Sequence, residues 1–376
     1  MKYKIIILLL LLNSCVASNT DNTPKVSFTL SKYNIHLGNH YVISLITFHN
    51  DIVALLSNGK IVILDSSYNR NYDAENNINP KDDSISQLFL HDNNIIFMLT
   101  NNMIRVCNKD YQRESSFEQK IKGYGLIQGL KYNDTTWFST TKYVGFLDSA
   151  FNFQGKVIVE NFPWNHRFIQ TEELFKDDSF TVYSCCVGEF GGNTFFVSNT
   201  TGKAYSYPAT CANNVFKLNG KYYIISSLSH LGYSTEYVSI KAPSNLYETH
   251  VGNPADANDP FNCNRDNEAL YNYYSDKRTR DQLGINIYYD TVHFITPVTF
   301  CYNDKYYSIQ IADSCVRIIN HDNEAIKVID TLNVNWRFCA KLYSNTTLSD
   351  CSQTSYCSSA TSLIVIKGNK IYELLY

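Results

Sequence analysis

The segment Phe162-Pro163-Trp164-Asn165-His166-Arg167-Phe168 places a tryptophan, a histidine and an arginine side by side in the chain. Trp and Arg dominate binding hot spots, and a Trp face stacks on sugars and cations. Trp164, His166 and Arg167 are therefore candidate binding residues; the competing role for Trp164 is to pack inward beneath a connecting turn. A second aromatic concentration, Tyr271, Tyr273 and Tyr274, offers wide amphipathic contact at low entropy cost. Glu172-Glu173 and Asp177-Asp178 have the composition of a glycosidase acid/base pair, but their polar neighbours place them in a solvated loop. No His-Glu-x-x-His helix and no Gly-x-Ser-x-Gly elbow occurs. Gly188-Glu189-Phe190-Gly191-Gly192 lacks the helix start that a phosphate loop needs. No Cys-x-x-Cys or close Cys/His pair suggests a metal, and no cofactor is expected. The expected chemistry is recognition, without catalytic residues.

What must position these residues is legible as a repeat. Asn50–Arg70 reappears at Asn93–Arg113, shifted by 43 residues without a gap, with Ile52/Ile95, Leu56/Leu99, Ile61/Ile104, Tyr68/Tyr111 and Arg70/Arg113 identical. A third copy at Asn133–Asn152 puts Trp137, Val144, Phe146, Asp148 and Phe151 in the matching places. A period near 40 built from short apolar runs around a turn signals a radial or solenoid architecture. Strand runs flank Asn58-Gly59, Asn101-Asn102, Thr201-Gly202, Asn219-Gly220, Asn303-Asp304 and Gly368-Asn369, turn pairs suited to tight hairpins. Asp65, Asn108 and Asp148 recur at the ends of hairpin strands, which points to a structural turn bond.

The hairpin with its trailing Asp, as in Ile61-Val62-Ile63-Leu64-Asp65, resembles the broad β-propeller superfamily of WD40-, quinoprotein- and NHL-type blades. The signatures of any one family within it, such as the Trp-Asp of WD40 repeats, are missing. The resemblance implies an all-β propeller of six to seven four-stranded blades, with a segment such as Val26–Leu30 completing the last blade. Residues 241–283, with Pro243, Pro254 and Pro260, read as a polar insertion into a single domain spanning 18–376. The competing arrangement is an N-terminal β-repeat domain followed by a disulfide-rich all-β domain.

Lys2 and Lys4, the apolar run Ile5–Leu12 and the small residues of Cys15-Val16-Ala17 form the three-part layout of a secretory signal over residues 1–17. The run is too short to span a membrane, which takes about 20 residues; the alternative is a bacterial lipoprotein anchored at Cys15. Beyond Cys15 the chain has Cys107, Cys185, Cys186, Cys211, Cys263, Cys301, Cys315, Cys339, Cys351 and Cys357, an even number that fits full disulfide pairing. Asn133, Asn199 and Asn345 head N-glycosylation triplets. The net charge of −3 and the lack of a basic stripe exclude a nucleic-acid partner; Lys277-Arg278-Thr279-Arg280, between Asp276 and Asp281, reads as a solvated loop. Abundant Asn, Ile, Lys and Tyr fit an A/T-rich genome, as in large viruses, protists and some bacteria. The expected function is a secreted, disulfide-bonded glycoprotein that binds a cell-surface or extracellular protein or glycan. From a viral source it would be a host-interaction or virion-surface protein. The alternative is an extracellular carbohydrate-active enzyme on the same scaffold.

Overall fold

The structure, a computed structural model, describes residues 26–376 apart from 82, 133–134, 141–142, 159–170, 187–190, 229–233, 250–266, 290–293, 313–314, 323–324, 335, 337–339 and 342–353. The described strands form seven sheets, six of them antiparallel throughout. Sheet 1 holds Val42–Phe48, Asp51–Leu56 and Ile61–Leu64; sheet 2 holds Ile85–His91, Asn94–Leu99 and Ile104–Cys107. Sheet 3 runs from Gln128–Tyr132 to Phe153–Ile158, sheet 4 from Thr171–Lys176 to Ala204–Pro208, and sheet 5 from Ala212–Leu218 to Ile285–Tyr289. Sheet 6 runs from Ile295–Tyr302 to Ala325–Leu332 and sheet 7 from Ala340–Lys341 to Lys370–Leu375.

Strand alternation explains how the sheets stack. Val53 and Leu55 face a core shared with sheet 2, whereas Ile52, Ala54 and Leu56 face one shared with sheet 7. In sheet 2, Ile95, Phe97 and Leu99 turn back to sheet 1 while Ile96 and Met98 turn on to sheet 3. Successive side chains point to opposite faces, so strands buried on both sides read as unbroken apolar runs. Sheets 7 and 1 share the last core, through Leu363, Val365 and Leu374 against Val42, Leu45 and Ile52. The stack therefore closes on itself, and the chain is a seven-bladed β-propeller. Thr29–Asn34, which overlaps the expected segment Val26–Leu30, joins blade 7 as a fifth strand outside its other four and lies parallel to Lys370–Leu375, with Thr29 opposite Lys370.

Blades 1 and 2 lack a fourth strand, and helices take its place: α1 (Tyr72–Ile78) and α2 (Ser115–Lys122). The 43-residue repeat extends into them, since Glu75 and Glu118 share a place in it. Each carboxylate accepts the N–H of a third-strand residue, Ile63 at 3.1 Å and Val106 at 3.2 Å, that a fourth strand would otherwise satisfy. Each is also held by an arginine, Arg70 to Glu75 and Arg113 to Glu118, both at 2.5 Å. These hydrogen bonds raise the pKa of both guanidinium groups. Asn79 closes the rest of the blade 1 edge, accepting from Ile61 N at 2.6 Å and donating to Ile61 O at 2.9 Å.

The described parts of the insertion, 241–249 and 267–283, hold a strand and two helices. Tyr247–Thr249 pairs with Ala204–Pro208 on the outer edge of blade 4, and α3 (Asn267–Ser275) and α4 (Lys277–Leu283) follow before the chain re-enters blade 5. Leu246, Leu270 and Tyr274 anchor it in the core between blades 4 and 5. Leu270 and Tyr274 stand four residues apart, the spacing of neighbours on one helix face.

Full disulfide pairing does not hold. Cys186 is bonded to Cys211, and Cys185 and Cys301 are also in disulfides. Cys107, Cys315 and Cys357 are buried thiols. Cys107 occupies the repeat position of Leu64 and fills an apolar slot between blades 1 and 2, where burial pushes its thiol up to about 12. Cys357 fills a slot between blades 6 and 7. Cys263, Cys339 and Cys351 lie outside the described residues.

The carboxylate caps generate a graded prediction. Glu75 and Arg70 are largely buried (5 % and 18 % exposed side chains), whereas the Arg113 side chain is 45 % exposed. Glu75→Ala is expected to lower the free energy of urea unfolding by about 3 kcal/mol, and Glu118→Ala by about 1–2 kcal/mol. An equal or smaller loss at Glu75 would refute the capping role.

Candidate binding face

From blade 1 through blade 7 the first strands of consecutive blades contact one another and form the inner wall. They begin on one face, where the connections between blades and the second turn of each blade also lie; the first and third turns lie on the other face. The two faces are built differently.

The opposite face is latched. Asp65 Oδ1 accepts from Ser67 N and Asn69 N, Asn108 Oδ1 from Asp110 N and Gln112 N, and Asp148 Oδ1 from Ala150 N and Asn152 N, all at 2.8–3.0 Å. These are the structural turn bonds read from the sequence. Each turn holds an aromatic residue at positive φ: Tyr68 at 66°, Tyr111 at 58° and Phe151 at 59°. Tyr111 packs on Phe48 of blade 1 and donates to Asp51 at 2.8 Å; Phe151 packs on His91 of blade 2 with centroids 4.7 Å apart. Each aromatic thus clamps its blade to the preceding one. Between blades 4 and 5 the clamp is polar: Asp177 accepts from both Lys217 Nζ and the Tyr222 hydroxyl at 2.7 Å. Burial opposes ionisation of Asp177, but these bonds outweigh it and hold the carboxyl below its ordinary value, while burial pushes Tyr222 up to about 12. Asp177 is a joint between blades.

The connection face carries exposed apolar side chains instead. Tyr41 and Ile43 stand at the start of blade 1, Met103 in the second turn of blade 2, Ile127 at the start of blade 3, and Tyr143 in its second turn. All five are 40–49 % exposed. Backbone bonds run between their turns: Ser57 N donates to Tyr41 O at 2.9 Å, Ile85 N to Gly59 O at 2.7 Å and Thr100 N to Ser84 O at 2.9 Å. Gly129 N donates to Gln87 Oε1 at 3.2 Å and joins blade 3 to blade 2.

Near the starts of the first strands stand the polar residues Ser44, Gln87, Gln128, Asn213, Asn214 and Thr296, of which Asn214 and Thr296 are buried. Glu172 and Glu173 are not in a solvated loop; they begin the inner strand of blade 4, opposite Ser184 and Tyr183. At blades 5 and 6 the polar groups satisfy one another. Arg317 is buried with its guanidinium 3.8 Å from the Phe294 ring centroid and donates to Gln310 Oε1 at 2.6 Å. Gln310 bonds the Tyr237 hydroxyl, which lies 2.9 Å from Thr296 Oγ1. Beneath them, fully buried His321 sits with Nε2 2.7 Å from Ser308 Oγ. Among the described residues no cluster of His, Cys, Asp or Glu could hold a metal ion.

Of the residues singled out from sequence, Tyr271 and Tyr273 are exposed on α3, but Tyr274 is 3 % exposed and is a packing residue. Its hydroxyl accepts from Tyr247 N and donates to Ser206 O, both at 2.8 Å. Trp164, His166 and Arg167 lie outside the described residues, as do Asn133 and Asn345. The flanks of that Trp segment are described: Ile158 pairs with Tyr143 and Thr171 begins blade 4, both on the connection face. Asn199 is exposed in a turn on the latched face, where Nδ2 donates to Asp177 O at 2.6 Å and Oδ1 accepts from Thr181 at 2.8 Å. Sequence reasoning missed the five apolar residues, which are scattered from 41 to 143 and are brought to one face through topology alone.

No family model and no curated protein matches this chain. Among solved structures it is similar to the extracellular domain of a one-component system from B. thetaiotaomicron, at 9% identity and a TM-score of 0.45, over 91% of this chain and 40% of that one. It is also similar to BamB from Moraxella catarrhalis (11% identity, TM-score 0.40, 87% of this chain and 83% of that one). A third is a prolyl endopeptidase (8% identity, TM-score 0.47, 89% and 49%). The likeness is one of fold. The chain spans about two fifths of the length of the one-component system domain.

Burial holds the pKa of His321 down to about 3. Unfolded, the ring takes a proton below its ordinary value of 6.5; folded, it stays neutral until about pH 3. The stability linked to this group is therefore complete above pH 6.5 and falls by about 1.4 kcal/mol per pH unit below it. His321→Gln should flatten the fall in urea midpoint between pH 6 and pH 4. An unchanged slope would show that other groups set it.

Proposed function

We propose that this protein is an extracellular binding module that docks a partner protein on the connection face of blades 1–3. The observation that carries the reading is the gathering of Tyr41, Ile43, Met103, Ile127 and Tyr143 on that face. Exposed apolar patches on soluble proteins mark interaction sites, and Tyr and Met are enriched where partners meet. Extracellular placement is supported by the signal-like residues 1–17, the Cys186–Cys211 disulfide and the Asn199 triplet. Among the described residues no helix is long and apolar enough to cross a membrane. The partner is a protein or glycoprotein displayed outside a cell. A glycan on Asn199 would occupy the latched face and leave the connection face open.

The test uses fluorescently labelled protein on a panel of intact animal, protist and bacterial cells, read by flow cytometry, beside a model-glycoside hydrolysis assay. Saturable binding without turnover is expected, sensitive to protease treatment of the cells. Ile43→Asp with Met103→Asp should weaken it by about tenfold or more with the unfolding midpoint preserved. Binding that survives those substitutions, no saturable binding on any cell, or turnover of a glycoside would overturn the reading.

A further inference from the structure

We propose that the outermost strand of blade 7, Thr29–Asn34, pairs antiparallel with the same strand of a second copy of this chain, joining two propellers edge to edge about a two-fold axis. The argument does not rest on the connection-face patch.

The first observation is the direction of the backbone groups. Thr29 N donates to Asn369 O at 2.9 Å and Ile35 N to Leu375 O at 2.8 Å. The odd-numbered residues of this strand thus turn their N–H and C=O groups toward Lys370–Leu375. In a regular ladder the residues between them point the other way. Leu30, Lys32 and Asn34 therefore present N–H and C=O groups along an edge that no described strand occupies. Another strand is what such a row accepts. As the fifth strand of its sheet it also lies farther out than the fourth strands that end blades 3, 5 and 6, where a second molecule can reach it.

The second observation is that this edge lacks the defences of the others. Outer strands are blunted by cover, bulges, charge or short length. Helices α1 and α2 cap the edges of blades 1 and 2. The outer strand of blade 3 is bulged where it pairs with Val144 and Gly145, and that of blade 6 where it pairs with Ile318 and Ile319. The blade 6 edge also carries Lys327 and Asp330. In blade 4 the outer strand, Tyr247–Thr249, is three residues long, and α4 packs on the outer strand of blade 5. Thr29–Asn34 keeps one register over six residues and has no proline. Its single charge, Lys32, is held within its own sheet, with Nζ 2.8 Å from Glu373 Oε2.

Charge complementarity selects a second copy and one register. About a two-fold axis perpendicular to the sheet, opposed residues share a face, and hydrogen-bonded pairs come from Leu30, Lys32 and Asn34. Lys32 opposite Lys32 would set like charges together, which destabilises a pair of strands. Leu30 opposite Lys32 avoids this. The axis then passes between two Ser31 residues, and Thr29 lies opposite Tyr33, which is 41 % exposed. No opposed pair repeats a charge, so the strand is complementary to itself. A pairing of this length buries less surface than a permanent dimer needs, so the dimer forms and parts with concentration.

The test is sedimentation equilibrium of the purified full-length protein, with residue-resolved amide hydrogen exchange at the same concentrations. A mass that rises from one copy toward two is expected. The N–H groups of Leu30 and Lys32 should exchange more slowly as it rises, while those of Ser31 and Tyr33 stay protected throughout. Ser31→Lys and Ser31→Glu each set like charges at the axis and should weaken association by about fivefold or more. Neither should move the unfolding midpoint, and mixing the two variants should restore the dimer. Ile43→Asp with Met103→Asp should leave the dimer intact, so its failure and the failure of cell binding are told apart. A single-copy mass at every concentration, a dimer indifferent to both Ser31 variants, exchange at Leu30 and Lys32 that ignores concentration, or loss of the dimer in the connection-face variant would each overturn the proposal.

Discussion

The blades of this propeller bury side chains on both faces, and that is the constraint on which the rest depends. A strand such as Asp51–Leu56, with Ile52, Ala54 and Leu56 on one side and Val53 and Leu55 on the other, has no face to offer water. Hydrophobic burial scales with area removed from solvent, so a blade alone, or with one neighbour, would leave a whole face exposed. A linear stack would still end in two open faces. Closing the ring removes both, which is why the Val42–Phe48 and Ser362–Lys367 strands, far apart in sequence, share one core.

Closure leaves secondary problems that this sequence solves locally. Blades 1 and 2 stop at three strands, and their bare edges are covered by carboxylates from α1 and α2. The joints between blades are fixed by aromatic residues in left-handed turns on one face. With that face committed to holding the ring together, the other can vary: its turns bear exposed apolar side chains in blades 1–3 and mutually bonded polar groups in blades 5 and 6. The division of labour between the faces follows from strand direction, since first and third turns always fall on one side and connections on the other.

Much of the scaffold was legible because propeller physics writes itself into period and alternation. The 43-residue repeat, the hairpin turns around Gly59, Gly202, Gly220 and Gly368, and the return of an N-terminal strand to the last blade were all readable. Tyr274 was not separable from Tyr271 and Tyr273 by composition; its distance of four residues from Leu270 was the signal that it faces inward. Cys107 looked like half a disulfide because cysteine number says nothing of location, although its alignment with Leu64 marked it as core. The Glu75 and Glu118 caps lay five residues beyond the obvious end of the repeat, with Arg70 and Arg113 as the pointer. The connection-face patch had no local signature, because its five members belong to three blades.

The parallel pairing of Thr29–Asn34 with Lys370–Leu375 also sets an order of events. Thr29 must wait for Lys370, which lies beyond the other strands of all seven blades, before it can settle. Such distant contacts slow folding, because the loop entropy is lost before the contact is gained. Meanwhile each half-built stack shows an apolar blade face to its surroundings, and a chain of this design benefits from chaperones that shield such faces until closure. Once formed, the same pair works in reverse: pulling the two ends of the ring apart along the strands must shear all its hydrogen bonds together, so the seam that forms late resists that force as a unit.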